Sequence, residues 1–463
     1  MTSTFSGLST ALSALYAQRR GLDVTGQNIA NANTEGYSRQ RVDMRAIASQ
    51  QVPAVHAVWS GAGAGVDVTA ISRARDAFLE ARGRAEHAQG AYLDVQKQVF
   101  GSVESIFTEP SDTALQSQFD DYWAAWHDVA NNPGLLAARN QLLERGRVVT
   151  DGLSRAFDQL GAEFTISRSQ LEAFATDINT TTKTIAELNQ SINRAQAAGL
   201  PVNELADQRD LQLMHLAEVA GTTAIARPDG TMDVLLGGST LVSGSSSREL
   251  KVGGGTRLED LVTDPTGQRV SLQWADNGRT ATATDGRVAA HLQSLNTILP
   301  DYANQLDAIA ASLASSVNLA HGQGHDLNGN PGTAFFTGTT ASTIKVAIDD
   351  PMLVAASSQA GAPNLDAGNA DALAALGQKT DGADSAYRRL VAGLGVQSQS
   401  AARRAEIQAA VETEIDVARS SQSGVNLDEE MTNLLAYQRA YEAASRVFNS
   451  IDETLDTLIN RTG

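Results

Sequence analysis

The residues best placed to do chemistry lie in one short run, His321-Gly322-Gln323-Gly324-His325-Asp326. Two histidines four apart, with an adjacent carboxylate, are a donor set for zinc or another divalent cation. That reading requires a helix presenting both imidazoles on one face and a further ligand to close the site. Gly322 and Gly324 oppose such a helix, so a hydrogen-bonded turn is the better expectation. The following residues, Asp326 to Gly332, open like a calcium loop. Its sixth position is Pro331 where glycine belongs, and its twelfth is Thr337 where a glutamate should close the site, so a structural turn is expected again. Gly61-Ala62-Gly63-Ala64-Gly65 lacks the strand, helix and later acidic residue of a dinucleotide site. Neither a nucleophile elbow nor a phosphate loop is present. With 53 acidic residues, carboxylate pairs are too common to point anywhere. No cofactor and no metal are expected. A secreted metal-dependent enzyme using His321, His325 and Asp326 is the alternative from the catalytic class.

Composition points away from several partners. The net charge is −18, which repels phosphate backbones and anionic bilayers, so nucleic acid and membrane are not expected as partners. Cysteine is absent, which removes disulfides, thiolate metal sites and cysteine nucleophiles together. No run approaches the roughly 20 apolar residues of a membrane-spanning helix. The first residues also lack a secretory signal, because Arg19 follows the early apolar positions instead of preceding them.

The elements that would position any site are mostly helical. Apolar residues recur at alternating steps of four and three at both ends of the chain. Near the start these are Leu8, Leu12, Leu15, Leu22 and Ile29. Near the finish they are Leu427, Met431, Leu434, Tyr441, Phe448, Leu455 and Ile459. An amphipathic helix with such a stripe needs a partner, and two of them can pair with each other and with further copies. The first helix is expected over 6–30, ending in an Asn- and Gly-rich turn. Strands are expected at 42–44 and 65–71. Long helices follow, over 76–107, from Asp112 to about 131, and over 133–198, with Asn203 capping a shorter one to 219. From 222 to 284 the composition shifts to Thr, Val, Gly and Asp with frequent turn signals, including a hairpin at Asn277-Gly278. Helical period resumes at 289–321 with a break at Pro300. A strand is expected at 343–348, helices at 371–376 and 383–422, a joint at Gly424, and a last helix over 427–460.

The expected fold class is therefore mainly α with a small β insert: terminal coiled-coil helices, a long-helix body and nested discontinuous domains. The division is 1–40 with 424–463 as the assembly unit, 41–220 with 286–423 as the body, and 221–285 as the insert. Basic residues near the start (Arg19, Arg20, Arg39, Arg41, Arg45) and acidic ones near the end (Asp428, Glu429, Glu430, Asp452, Glu453, Asp456) would add attraction between the ends.

Both ends also carry long, specific motifs. The N-terminal one runs from Gly26 to Gln40 and includes Asn28, Asn31, Asn33, Thr34, Gly36, Tyr37 and Arg39. The C-terminal one runs from Ser423 to Ala443 and includes Gln438, Arg439 and Tyr441. The chain resembles the flagellar rod, hook and hook-associated axial proteins. The Tyr37 to Gln40 ending, with Asn318, His321, Gly324 and the 326–332 loop leading to Phe335-Phe336, resembles the hook-associated branch. Rod and hook proteins are β-rich between their ends, whereas this chain is long-helical there, and the resemblance is weak over 222–284. It implies a non-enzymatic structural subunit outside the cell, in a ring of copies at the hook–filament junction, exported through the flagellar type III apparatus. The implied partners are other copies, the hook protein, a second junction protein and an export chaperone on the C-terminal helix. Another axial protein, either the second junction protein or a hook subunit, is the alternative within the family. The end helices would be poorly ordered until neighbours complete their apolar surfaces.

Overall fold

A computed structural model describes residues 4–47, 63–362 and 364–462. The chain is mainly α with a small β insert. Helix α1 (Thr4–Ala30) leads through a turn into a two-stranded antiparallel ribbon, β1 (Gln40–Ala46) and β2 (Val66–Arg73). Helix α2 (Ala77–Phe107) follows. Its start is fixed by Asp76, whose carboxylate accepts from Phe78 N at 2.8 Å and Leu79 N at 3.2 Å.

Helix α3 (Leu115–Asn131) packs on α4 (Leu136–Ala197). At 62 residues, α4 is roughly 93 Å long. The aromatic face of α3 is core: Phe119, Tyr122, Trp123 and Trp126 are buried against Phe335, Phe336 and Tyr387. Asp112 does not cap α3. A turn at 112–114 intervenes, and the helix begins after Ala114 without a side-chain cap. Helix α5 (Asn203–Ala220) returns along α4. Asn203 lies inside its first turn instead of capping it, because its amide is drawn to Gln40 Oε1 and Ile71 O.

The insert holds β3 (Thr223–Ala226), β4 (Met232–Leu236), β5 (Ser239–Ser243) and β6 (Ser246–Ser247) in one antiparallel sheet. A ribbon of β7 (Leu250–Gly253) with β8 (Ser271–Trp274) follows, and helix α6 (Leu258–Thr263) lies between its strands. The Asn277-Gly278 turn forms, but its return is one bridge, Gln273 to Thr280, and not a full strand. Asparagines on the helices hold the insert by imitating a neighbouring strand. Asn179 both donates to Leu250 O and accepts from Leu250 N, and Asn296 does the same with Val270. Asn189 bonds Met232 N, Met232 O and Gly244 O. The insert's Val234, Leu236, Leu241, Val242, Leu272 and Trp274 join the same buried cluster as the helices.

Helix α7 (Gly286–Gln293) continues through a wide π turn at Ser294–Ile298 into α8 (Leu299–Gln323). Pro300 therefore does not break the helix. Leu299 N–H bonds back five residues to Ser294 O, and this wider turn accommodates the proline ring. Short strands β9 (Phe336–Thr337) and β10 (Lys345–Val346) pair, so the strand expected at 343–348 is cut to two residues. Helix α9 (Gly368–Ala374) precedes α10 (Ala383–Ser423), which packs along α2. The last helix, α11 (Leu427–Thr462), packs along α1.

His321 belongs to this core. Its ring is fully buried, with Nδ1 2.6 Å from Thr333 O and Nε2 accepting from Ala355 N at 2.8 Å. That pattern requires the neutral tautomer with the proton on Nδ1. Burial first, and the nearby Arg139 charge, hold its pKa down to about 4 against the usual 6.5, although the Thr333 carbonyl opposes them. Protonation therefore favours the unfolded chain. The stability contributed by the neutral ring is complete above pH 6.5 and is lost as pH falls towards 4. We expect this residue to withdraw about 3 kcal/mol of stability as pH falls across that window. His321→Asn should flatten the pH dependence of the calorimetric Tm between pH 6.5 and 4 while lowering Tm at neutral pH.

Candidate assembly site at the paired ends

The two end helices run antiparallel, in a seam whose α1 side is small. Gly7, Ala14, Gly21 and Asn28 recur every seven residues on α1, and Glu430, Tyr437, Ala444 and Ile451 do the same on α11. A side chain beginning at Gly7 would meet Ile451 Cδ1 at 3.2 Å, and one at Gly21 would meet the Tyr437 ring at 2.7 Å. Asn28 reaches Glu430. Fourteen residues forward from Gly7 to Gly21 match fourteen back from Ile451 to Tyr437, and the next seven match again. The register is thus constant over three heptads. Ala17 and Val24 are buried on another side of α1, beside the ribbon and residues 199–204. Glycine at position 21 lets the helices approach closely enough for the aromatic ring to lie on bare backbone.

Beyond Ala30 the chain turns back. Asn31 Nδ2 donates to Gln27 O at 3.0 Å and Thr34 Oγ1 donates to Asn31 Oδ1 at 3.2 Å. Gly36 takes a φ of +76° beside Leu211. The turn brings Tyr37 and Gln40 onto Asn28. The Asn28 amide is 1% exposed, and all four of its hydrogen-bonding positions are used. Oδ1 accepts from Tyr37 OH and Gln40 N, both at 2.9 Å. Nδ2 donates to Gln40 O at 2.8 Å and to Glu430 Oε2 at 3.1 Å. The other oxygen of Glu430 takes Arg39 Nε at 2.7 Å, and Arg39 Nη1 reaches Glu429 at 3.0 Å. The Tyr37 hydroxyl is held up at about 12 by burial and by the charges of Asp207, Glu204 and Glu430, so it stays a donor.

The same turn is tied to the body. Ser38 donates through N and Oγ to Asp207, at 3.1 and 2.7 Å. Arg73 bridges Asp207 and Asp210, each at 2.8 Å. Arg39 N–H bonds Ser423 O, and Ala74 N–H bonds Arg39 O. One short segment, 37–40, therefore meets α1, α11, the ribbon, α5 and the end of α10.

The apolar stripes read from the sequence lie beside this seam. Leu8, Leu15, Leu22, Ile29, Leu434, Phe448 and Leu455 are half-buried, and Leu12, Leu427, Met431 and Tyr441 are exposed; the side chain of Ile459 is outside the described residues. Of the motif residues, Asn28, Tyr37, Arg39 and Gln40 are brought together, while Asn33, Gln438 and Arg439 are exposed elsewhere. Of the opposed end charges, Arg39 meets Glu429 and Glu430, whereas Arg41 pairs with Asp43 next to it. Sequence reasoning missed the small seam, Tyr437, Ile451 and the Asp207 anchor. The seam was legible as a second heptad one position before the leucines; Asp207 had no local signal.

The histidine candidates do not converge. His321 is spent on Thr333 and Ala355, and Asp326 accepts from Asn328 N and Asn330 N within its own loop. Among the described residues no three His, Cys, Asp or Glu side chains come together to hold a metal ion. No described helix is long and apolar enough to cross a membrane.

Paired ends on a long-helical body are the architecture of a structural axial protein of the flagellum. The Flagella basal body rod protein family matches residues 8–37, and the Flagellar basal body rod FlgEFG protein C-terminal family matches 419–461. Between them, the Flagellar hook-associated protein FlgK helical domain family matches 100–336. Flagellar hook-associated protein 1 of Bacillus subtilis is 30% identical, over 100% of this chain and 99% of its own length. The Escherichia coli protein of that name is 24% identical over 98% and 99%. The solved flagellar hook junction protein FlgK from Burkholderia pseudomallei has the same fold, with a TM-score of 0.65 at 16% identity, covering 73% of this chain and 99% of its own. The chain belongs to the flagellar hook-associated protein 1 family.

Asn28→Ala removes four hydrogen bonds and leaves Glu430 buried against Arg39 with one oxygen unpaired. It should lower stability by about 3 kcal/mol, with amide exchange accelerating in α11 and in 37–40 but not in α3 or α8. Uniform acceleration, or none, would show that the amide does not hold the ends.

Proposed function

We propose that this chain is a non-catalytic subunit of the junction between hook and filament, outside the cell, and that it assembles with its own copies through α1 and α11. The observation that carries this reading is the division of the end helices into two faces. The seam between them is closed by small residues of α1 against Tyr437 and Ile451 of α11. The large apolar side chains are left over: Leu12, Tyr16, Leu427, Met431, Leu435 and Tyr441 are all exposed, with Tyr16 at 65% and Met431 at 51%. Exposed apolar residues set along paired helices are the surface that neighbouring copies would cover. The twelve stripe residues are accordingly the proposed assembly interface, with half-buried members completed by neighbours.

The division into an end unit (1–40 and 424–463), a body (41–220 and 286–423) and an insert (221–285) is proposed with it. The joint at 37–40 supports the first boundary, where the ends meet the body. The rod-type matches at the two ends are shared by axial proteins in general, and the helical body distinguishes this one from a hook subunit. The hook protein and a second junction protein are the proposed axial neighbours. An export chaperone on α11 is proposed because that helix presents an apolar ridge a holding partner would need to cover before export.

Leu12→Asp and Met431→Asp each put a charge on an exposed position. Each should change stability by no more than about 0.5 kcal/mol. Each should abolish polymerisation, measured by sedimentation, and swimming in soft agar. Normal swimming by both variants would refute the assembly face.

A further inference from the structure

A second site lies behind the joint, on the side of the body. There the first turns of α2 and α5, the end of α4 and the β3–β4 hairpin enclose a cavity of about 420 Å³. Five arginines line it, Arg73, Arg75, Arg84, Arg209 and Arg227, against two carboxylates, Glu80 and Asp210. In a chain of net charge −18 this is a reversal of sign.

Both carboxylates are already engaged. Asp210 is held by Arg73 and Arg75, and Glu80 by Arg419 at 3.1 Å and Arg75 at 3.6 Å. Arg227 leans on Asp233 at 3.4 Å. Two arginines make no ion pair, although Asp210 acts on both from farther away and Glu80 also on Arg84. Arg209 bonds neutral oxygens, those of Asn189 and Gly230, and its Nε is buried without a partner. Arg84 is 9% exposed and makes no hydrogen bond or ion pair among the described residues, and its side chain forms part of the cavity wall. Guanidinium donors left free of carboxylate partners in such a wall match an oxyanion. The N-terminal ends of α2 and α5 add partial positive charge to the same space. Burial first holds both Arg84 and Arg209 below the usual arginine range; Asp210, and for Arg84 also Glu80, opposes it, and neighbouring arginines add to it.

We propose that this cavity binds a small divalent tetrahedral oxyanion, phosphate or sulfate, on Arg84 and Arg209. The ion would supply the negative charge that the wall lacks, and it would tie the ribbon, α2, α5 and the insert together beside the joint. The site is complete within one chain and does not depend on the assembly reading.

The test is calorimetric titration of the full-length protein with inorganic phosphate and with sulfate, against acetate and chloride at equal ionic strength. Saturable binding of phosphate or sulfate, with a matching rise in Tm, is expected, and acetate should give neither. Arg84→Met should weaken the binding about ten- to hundredfold. In chloride buffer free of phosphate and sulfate it should not lower Tm, because it removes a charge that makes no ion pair. Arg84→Lys keeps the charge without the fork and should bind more weakly than the wild type. Absence of saturable binding in the wild type, equal response to acetate, or wild-type affinity in both variants would overturn the proposal.

Discussion

Four hydrogen bonds on one buried amide, that of Asn28, fix the returning segment 37–40 on α1 and tie both to α11. The constraint is strict because an amide has two acceptor positions and two donor positions, and each is used by a different need. Two go to the Gln40 backbone, which fixes the returning strand. One goes to Tyr37, which closes the turn. The last goes to Glu430, 402 residues away in sequence. Glu430 is itself 2% exposed, so its charge is tolerable only with Asn28 and Arg39 in place. Arg39 in turn carries backbone bonds to Ser423 and Ala74. Loss of the amide would therefore free α11, the ribbon and the joint with the body together.

From this anchor the end helices run outward in a constant register, and their side chains divide by size. Small residues of α1 close the seam within one chain by receiving Tyr437 and Ile451 of α11 on nearly bare backbone, where close approach gives contact over a long length. Large apolar residues remain on the outer faces. A subunit built this way can keep its own ends paired and still offer a hydrophobic surface to neighbours, which is the property a polymerising protein needs. In the body, α4 packs on α3, α5 and α8, and α2 and α10 pack along each other.

Much of this could be read from the residues. Helical period located the long helices, Asp76 marked the start of α2, and the shift to Thr, Val, Gly and Asp outlined the insert. The motifs at both ends pointed to the flagellar axial class. What could not be read follows from tertiary competition. Asn203 looked like a cap, but its amide is taken by Gln40 and Ile71 across the fold. Pro300 looked like a break, but a π turn before it absorbs the ring. The leucine heptads stand out, while the glycine–alanine heptad one position before them shows only as spacing, because small residues carry little hydrophobic signal. Ser38 and Asp207 meet across 169 residues, and no local pattern announces such a pair.

The central claim is that α1 and α11 pair within one chain, antiparallel and in one register. The absence of cysteine permits a direct measurement by oxidative cross-linking of introduced pairs in dilute protein. Gly7→Cys with Ile451→Cys is in register, and Gly7→Cys with Ala444→Cys is one heptad out. The account predicts rapid intrachain closure of the first pair and slow closure of the second. Equal closure of both, or a first pair that links only between chains, would contradict it.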